Sequence, residues 1–128
     1  MARRQVIEIP GLHHGANPIP VAVKIGSVLY TGGINPVNPE TGETPGEAEA
    51  QIAQAFANAR RIVEAAGGSM ADIAKVDVRL KDMSHREALN REWSRLFPDA
   101  HDRPVRHTTQ GALPGSAMIQ MELVAHLA

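Results

Sequence analysis

The chain has 128 residues and a formal charge of −1, with 13 Lys and Arg against 14 Asp and Glu. That length suits one domain spanning 1–128 with a real hydrophobic core. The near balance of charge leaves no bulk basic footprint for nucleic acid or an acidic membrane surface, and without cysteine disulfides, thiol catalysis and thiolate metal sites are excluded.

At the start, MARRQVIEIPG puts two arginines ahead of no long apolar run, so a signal peptide is not expected. No later run is long enough to span a bilayer, and a cytoplasmic protein is the expectation. QVIEI (5–9) alternates as a strand and stops at Pro10-Gly11. Residues 11–20 are irregular, and 21–33 reads as two short strands around a Gly26-Ser27 turn. The prolines and the ETGE turn of 34–47 rule out regular structure there.

Residues 47–66 carry the clearest helical period. Ile52, Phe56, Ala59 and Val63 share a face, acidic residues open the helix, and Gly67-Gly68 closes it. In 73–82, Val76, Val78 and Leu80 alternate with Asp77, Arg79 and Lys81, as in a strand with one buried face. Ser84 to Glu87 matches a capping box. It opens a helix with Leu89, Trp93 and Leu96 inward, stopped at Pro98. A strand from Val105 to Thr109 follows, then a last one within 117–127, where Ile119, Met121 and Leu123 alternate with Gln120, Glu122 and Val124. Two helices among five or six strands predict a mixed α+β sheet with both helices on one face. The other face then lacks a cover, which a homo-oligomer would supply.

The candidate chemistry is sparse. His13 and His14 are adjacent, so their side chains diverge, and no His-x-x-x-His or Glu-x-x-His spacing supports a metal. His85 and His101 read as solvated. No phosphate loop, nucleophile elbow or paired-carboxylate motif occurs, and the four aromatic residues are too few for a base-stacking platform. Arg106 stands out, a strand arginine between an apolar residue and a histidine. Such a guanidinium either pairs with an acid of the fold or serves as a fork for a substrate carboxylate.

Four segments carry a resemblance: VLYTGGINPVNPETGETP, AQAFANARRIVEAAGGSMADIAKVDVRLKDM, LNREWSRLFPD and RPVRHTTQGALPGSAMIQMELVA. Together they resemble the reactive intermediate deaminase (Rid, YjgF, or endoribonuclease L-PSP) family over nearly the whole chain from about Val23. The resemblance implies a chorismate mutase-like fold, a homotrimer with clefts between subunits, hydrolysis of enamine or imine acids, and no cofactor. RPVR places Arg106 on the family's carboxylate-binding arginine, and Asn90 keeps the family's asparagine. This chain also departs from the family. Gln120 stands where deaminating members carry a water-orienting glutamate, Ile19 where they have a tyrosine, and Gly32 where they have a serine. Thr108 falls near the usual cysteine.

The expected enzyme anchors a small carboxylate on Arg106, with residues 107–109, including His107 and Thr108, against the reacting end. Gln120 then holds water or a polar group, and His107, His13 or His14 supplies a base. A non-catalytic carboxylate-binding or holdase-like module is the alternative. A ribonuclease ranks third, given the neutral charge and few aromatics.

Overall fold

The structure is a computed structural model and describes residues 2–128. Six strands form one sheet: β1 (Gln5–Ile7), β2 (Ala22–Ile25), β3 (Val28–Thr31), β4 (Ile73–Leu80), β5 (Val105–Gln110) and β6 (Ile119–His126). Helix α1 (Ala48–Ala65) precedes β4, and α2 (Arg86–Leu96) joins β4 to β5. The strand order is β1-β2-β3-β6-β4-β5. The β4–β5 pair is parallel, as a helical crossover requires, and the other pairs are antiparallel.

The core lies between the helices and one sheet face. Val76 pairs with Leu123, Val78 with Met121 and Leu80 with Ile119. All six are buried, against Ile52, Phe56, Ala59, Ile62 and Val63 of α1 and Leu89 and Trp93 of α2. The period-2 and period-3.6 patterns of the sequence thus meet in one apolar layer.

Helix α1 also buries two polar side chains, Gln51 and Asn58. Gln51 donates to the carbonyls of Pro45 and Ser116 and accepts from Met118 N–H. Asn58 donates to the carbonyls of Asn35 and Val37 at 2.9 and 2.8 Å. Each ties an irregular segment to the helix and satisfies backbone groups that burial would otherwise leave unpaired. At the C-terminus of α1, Gly67 N–H bonds to Glu64 O and Gly68 N–H to Val63 O, with Gly67 at φ +95°. This is a Schellman end, which favours glycine at the left-handed position.

Two expectations change. The Ser84–Glu87 capping box does not form. The Asp82 carboxylate accepts from Ser84 N–H, a 3₁₀ turn spans Met83–His85, and α2 starts only at Arg86. Asp82, the second residue after β4, captures the free N–H before Ser84 can act as a cap, and that hydrogen bond holds its carboxyl below the ordinary value. His85 is not fully solvated either: its Nδ1 is buried without a partner among the described residues. His101 is exposed as expected.

No further layer covers the second sheet face among the described residues. Cross-strand register aligns Val6, Val23, Tyr30, Val124, Lys75 and Val105 in one row across all six strands. Val6, Tyr30 and Val105, 50%, 47% and 64% exposed, are three of the four large apolar residues left exposed among the described residues.

Candidate functional site

Arg106 lies on β5, the edge strand that follows α2. Its neighbours Val105 and His107 are exposed, so alternation turns Arg106 toward the helices. There its Cζ sits 5.0 Å from the Trp93 ring centroid, a cation–π distance. Its Nε donates to Thr108 Oγ1 at 2.9 Å and its Nη2 to Asn90 Oδ1 at 2.7 Å. Both acceptors are neutral, and Arg106 pairs with no carboxylate among the described residues. Burial, and then the nearby Arg86 charge, lower its pKa from the ordinary guanidinium value. A guanidinium has five N–H donors, so three remain beyond the two that fix its plane. Arg106, Asn90, Thr108 and Trp93 thus form a rigid, partly desolvated cationic fork without an internal counter-ion.

Gln120 lies elsewhere. Arg106 pairs with Val76 and Gln120 with Arg79. Positions 76 and 79 are an odd number apart, so Arg106 and Gln120 leave opposite faces of the sheet. Gln120 Nε2 donates to Asn35 Oδ1 at 2.9 Å. A Cβ on Gly33 would sit 2.9 Å from the Gln120 amide, so a side chain there would displace that amide. Gly32, next in the same turn, lies beside His14, whose Nε2 would be 3.3 Å from a Cβ there. Ile19 is 55% exposed and lines an apolar groove of about 480 Å3 with Ile9, Pro20 and Val21. One copy of the chain therefore carries two separate groups: Arg106 with Asn90 and Thr108, and Gln120 with the Gly32-Gly33 turn.

His107 lies apart from Arg106, on the side of the sheet where Gln120 and Gly33 lie. It faces the uncovered side of the sheet with Nδ1 3.8 Å from Asp77 Oδ1. The two line a polar hollow of about 340 Å3 with Arg79, Thr109, Gln120 and Glu122. His13 is exposed, and its Nδ1 accepts from Gly15 N–H. No cluster of three or more potential metal ligands occurs among the described residues.

Sequence reasoning missed three contributors. Trp93, whose spacing marks it as a core residue, also supports the Arg106 guanidinium with its ring. Asn35 orients Gln120, and Asn58 in turn holds the Asn35 carbonyl. An asparagine amid the helical period, at an otherwise inward position, was the available signal for the last.

The fold agrees with what known proteins indicate. The model of the Endoribonuclease L-PSP family matches residues 15–127, and the chain belongs to this family. It is 36% identical over 124 residues to a RutC family protein of Pasteurella multocida, covering 94% of this chain and 96% of that protein. It is 36% identical over 110 residues to the 2-iminobutanoate/2-iminopropanoate deaminase of Escherichia coli, covering 84% and 86%. Among solved structures, Escherichia coli TdcF with bound serine superposes with a TM-score of 0.88 at 30% identity, covering 97% and 99% of the two chains. The mixed sheet with two helices on one face is the α+β fold of these YjgF-type relatives. No helix of the described residues is long and apolar enough to cross a membrane.

Proposed function

We propose that the protein is a cytoplasmic imine deaminase that hydrolyses small 2-imino or 2-enamino acids to 2-oxo acids and ammonia. The observation that carries this is Arg106, a guanidinium fixed by neutral acceptors and an aromatic face, partly desolvated, beside a second cation and without an internal carboxylate. A fold would gain little from that arrangement alone, whereas a ligand carboxylate would complete it through charge-assisted hydrogen bonds. The deaminase relative at 36% identity and the serine held by the TdcF structure supply the class of ligand.

Because Arg106 and Gln120 leave opposite sheet faces, the complete site lies between copies of the chain. Arg106, Asn90 and Thr108 come from one copy, and Gln120, Gly32 and Ile19 from the next. The assembly is a homotrimer. The apolar row on the uncovered face supports this reading, since such a face needs a partner. In the reaction, water adds to the C=N carbon. The resulting carbinolamine then breaks its C–N bond, releasing ammonia and leaving the 2-oxo acid. Arg106 holds the carboxylate, and the Gln120 amide orients water without accepting its proton. Positioning is the larger contribution for so labile a substrate.

Purified protein offered 2-iminobutyrate, with semicarbazide competing for the imine, tests this reading. 2-Oxobutyrate should form faster than in the uncatalysed control, and Arg106→Ala should abolish the gain. A rate equal to the control would instead leave the family scaffold as a non-catalytic carboxylate binder.

A further inference from the structure

We propose that Arg86 is a specificity residue of the Arg106 site: it receives a second carboxylate, so that the preferred substrates are 2-imino dicarboxylic acids. The proposal rests on the deaminase reading and names the substrate class within it.

Arg86 opens α2 and is exposed. Three contacts place it beside the Arg106 fork. Asn90, whose Oδ1 accepts from Arg106 Nη2 at 2.7 Å, lies four residues further along α2, and residues at that spacing share a helix face. Trp93, whose ring centroid is 5.0 Å from Arg106 Cζ, continues the same stripe, so Arg86 and Trp93 flank Asn90 on it. Gln110 Oε1, at the end of β5, accepts from Met83 N–H at 2.9 Å. That bond ties the approach to α2 to the part of β5 beyond Arg106 and Thr108. Burial, and then the charge of Arg86, lower the Arg106 pKa, as two cations in mutual range require.

The fold does not compensate this second charge. Arg86 forms no ion pair among the described residues. The positive end of the helix dipole disfavours a cation in the first turn, and a neighbouring guanidinium adds repulsion. Glu87, the acid of that turn, lines a different hollow, on the α1 side, with Glu47, Glu49 and Arg91. The Asp82 carboxylate is engaged by Ser84 N–H. Two arginines therefore converge on one site, and neither has an acid of its own.

Charge balance selects the ligand. Arg106 keeps three N–H donors, enough to hold one carboxylate bidentately. A monocarboxylate that fills this fork leaves Arg86 uncompensated and the site with net positive charge. A second carboxylate on the same ligand neutralises Arg86 and gains charge-assisted hydrogen bonds to a planar donor. A phosphate carries about −1.5 to −2 charges and would exceed that single cation. The reaction itself is unchanged: imine and water give a 2-oxo dicarboxylic acid and ammonia.

Titration calorimetry with 2-oxoglutarate and 2-oxopentanoate isolates the second carboxylate, since the two acids share the same carbon chain. The wild type should bind 2-oxoglutarate about tenfold more tightly, the low end for a charge-assisted pair because Arg86 is exposed. Arg86→Gln should remove that ratio, and Arg86→Glu should invert it. Neither variant should melt below the wild type, because both relieve repulsion at the start of α2; a structural arginine would give the opposite. Arg60→Gln, on the exposed side of α1, should keep the wild-type ratio, which separates a local contact from an effect of net charge. In turnover, kcat/KM for 2-iminoglutarate against 2-iminopentanoate should follow the same pattern. Equal affinity of the wild type for the two oxo acids, or an unchanged ratio in Arg86→Gln, would overturn this proposal while leaving the deaminase reading intact. A retained affinity ratio without turnover of either imine would overturn the deaminase reading and, with it, the substrate class.

Discussion

Replacing Arg106 with alanine separates binding from folding. In the folded chain the guanidinium gives up two hydrogen bonds, to Asn90 and Thr108, and one contact with Trp93. Neither acceptor is fully buried, so water can replace the donors and each bond contributes about 1 kcal/mol or less. The cation–π contact adds about 0.5–1 kcal/mol. Against these stand the desolvation of the guanidinium and its repulsion by Arg86, both relieved in the variant. The net change in stability is therefore about 1 kcal/mol, a melting shift of a few degrees. Carboxylate binding loses charge-assisted bonds worth about 1.5–3 kcal/mol, which is roughly a 10- to 150-fold weaker Kd. Arg106→Lys should recover only part of this, because an ammonium lacks the planar fork. Titration calorimetry with 2-oxobutyrate, paired with thermal melting, measures both quantities. The reasoning fails if Arg106→Ala binds 2-oxobutyrate as tightly as the wild type, or if the variant unfolds. The second result would make the arginine a structural residue.

Gln120→Glu should raise the rate of 2-iminobutyrate hydrolysis by at least tenfold in steady-state assays, because a carboxylate accepts the proton that an amide cannot. Asn35 would turn its NH2 toward the new carboxylate, and an unchanged rate would mean that positioning alone sets turnover. Val105→Glu, in the apolar row of the uncovered face, should convert the proposed homotrimer to monomers in sedimentation equilibrium. A wild type already monomeric at micromolar concentration would refute the assembly. Asn58→Ala removes a fully buried amide that serves the Asn35 and Val37 carbonyls. It should cost about 2–3 kcal/mol in chemical denaturation and lower turnover by displacing Asn35, whereas a loss below 0.5 kcal/mol would show that water substitutes there.

Local patterns were legible wherever one side chain's surroundings follow from its neighbours in sequence. The alternation of Val76, Val78 and Leu80 predicted a half-buried strand, and the spacing of Ile52, Phe56, Ala59 and Val63 a one-sided helix. Gly67-Gly68 marked the end of that helix, because the left-handed turn there favours glycine. The unusual setting of Arg106, in a strand between an apolar residue and a histidine, was visible in the same way, although only the structure shows that it and not Val105 faces the helices.

What sits opposite a residue is decided by pairing between distant segments, and no local pattern encodes that. β6 enters between β3 and β4, and the register there places Gln120 against Arg79 while Arg106 pairs with Val76. This puts the two proposed functional side chains on opposite faces, which is why the proposed site is divided between copies. The same pairings bring Val6, Tyr30 and Val105, about 100 residues apart from first to last, into one exposed row. Ser84 carried a capping signature, but Asp82 captured its N–H because the end of β4 had already set the chain's direction. His14 Nε2 became buried only when the turn at Gly32 folded against it. Sequence fixes which face of its own element each side chain occupies, by steric periodicity; tertiary pairing, whose free energy is shared among many distant contacts, decides which faces meet.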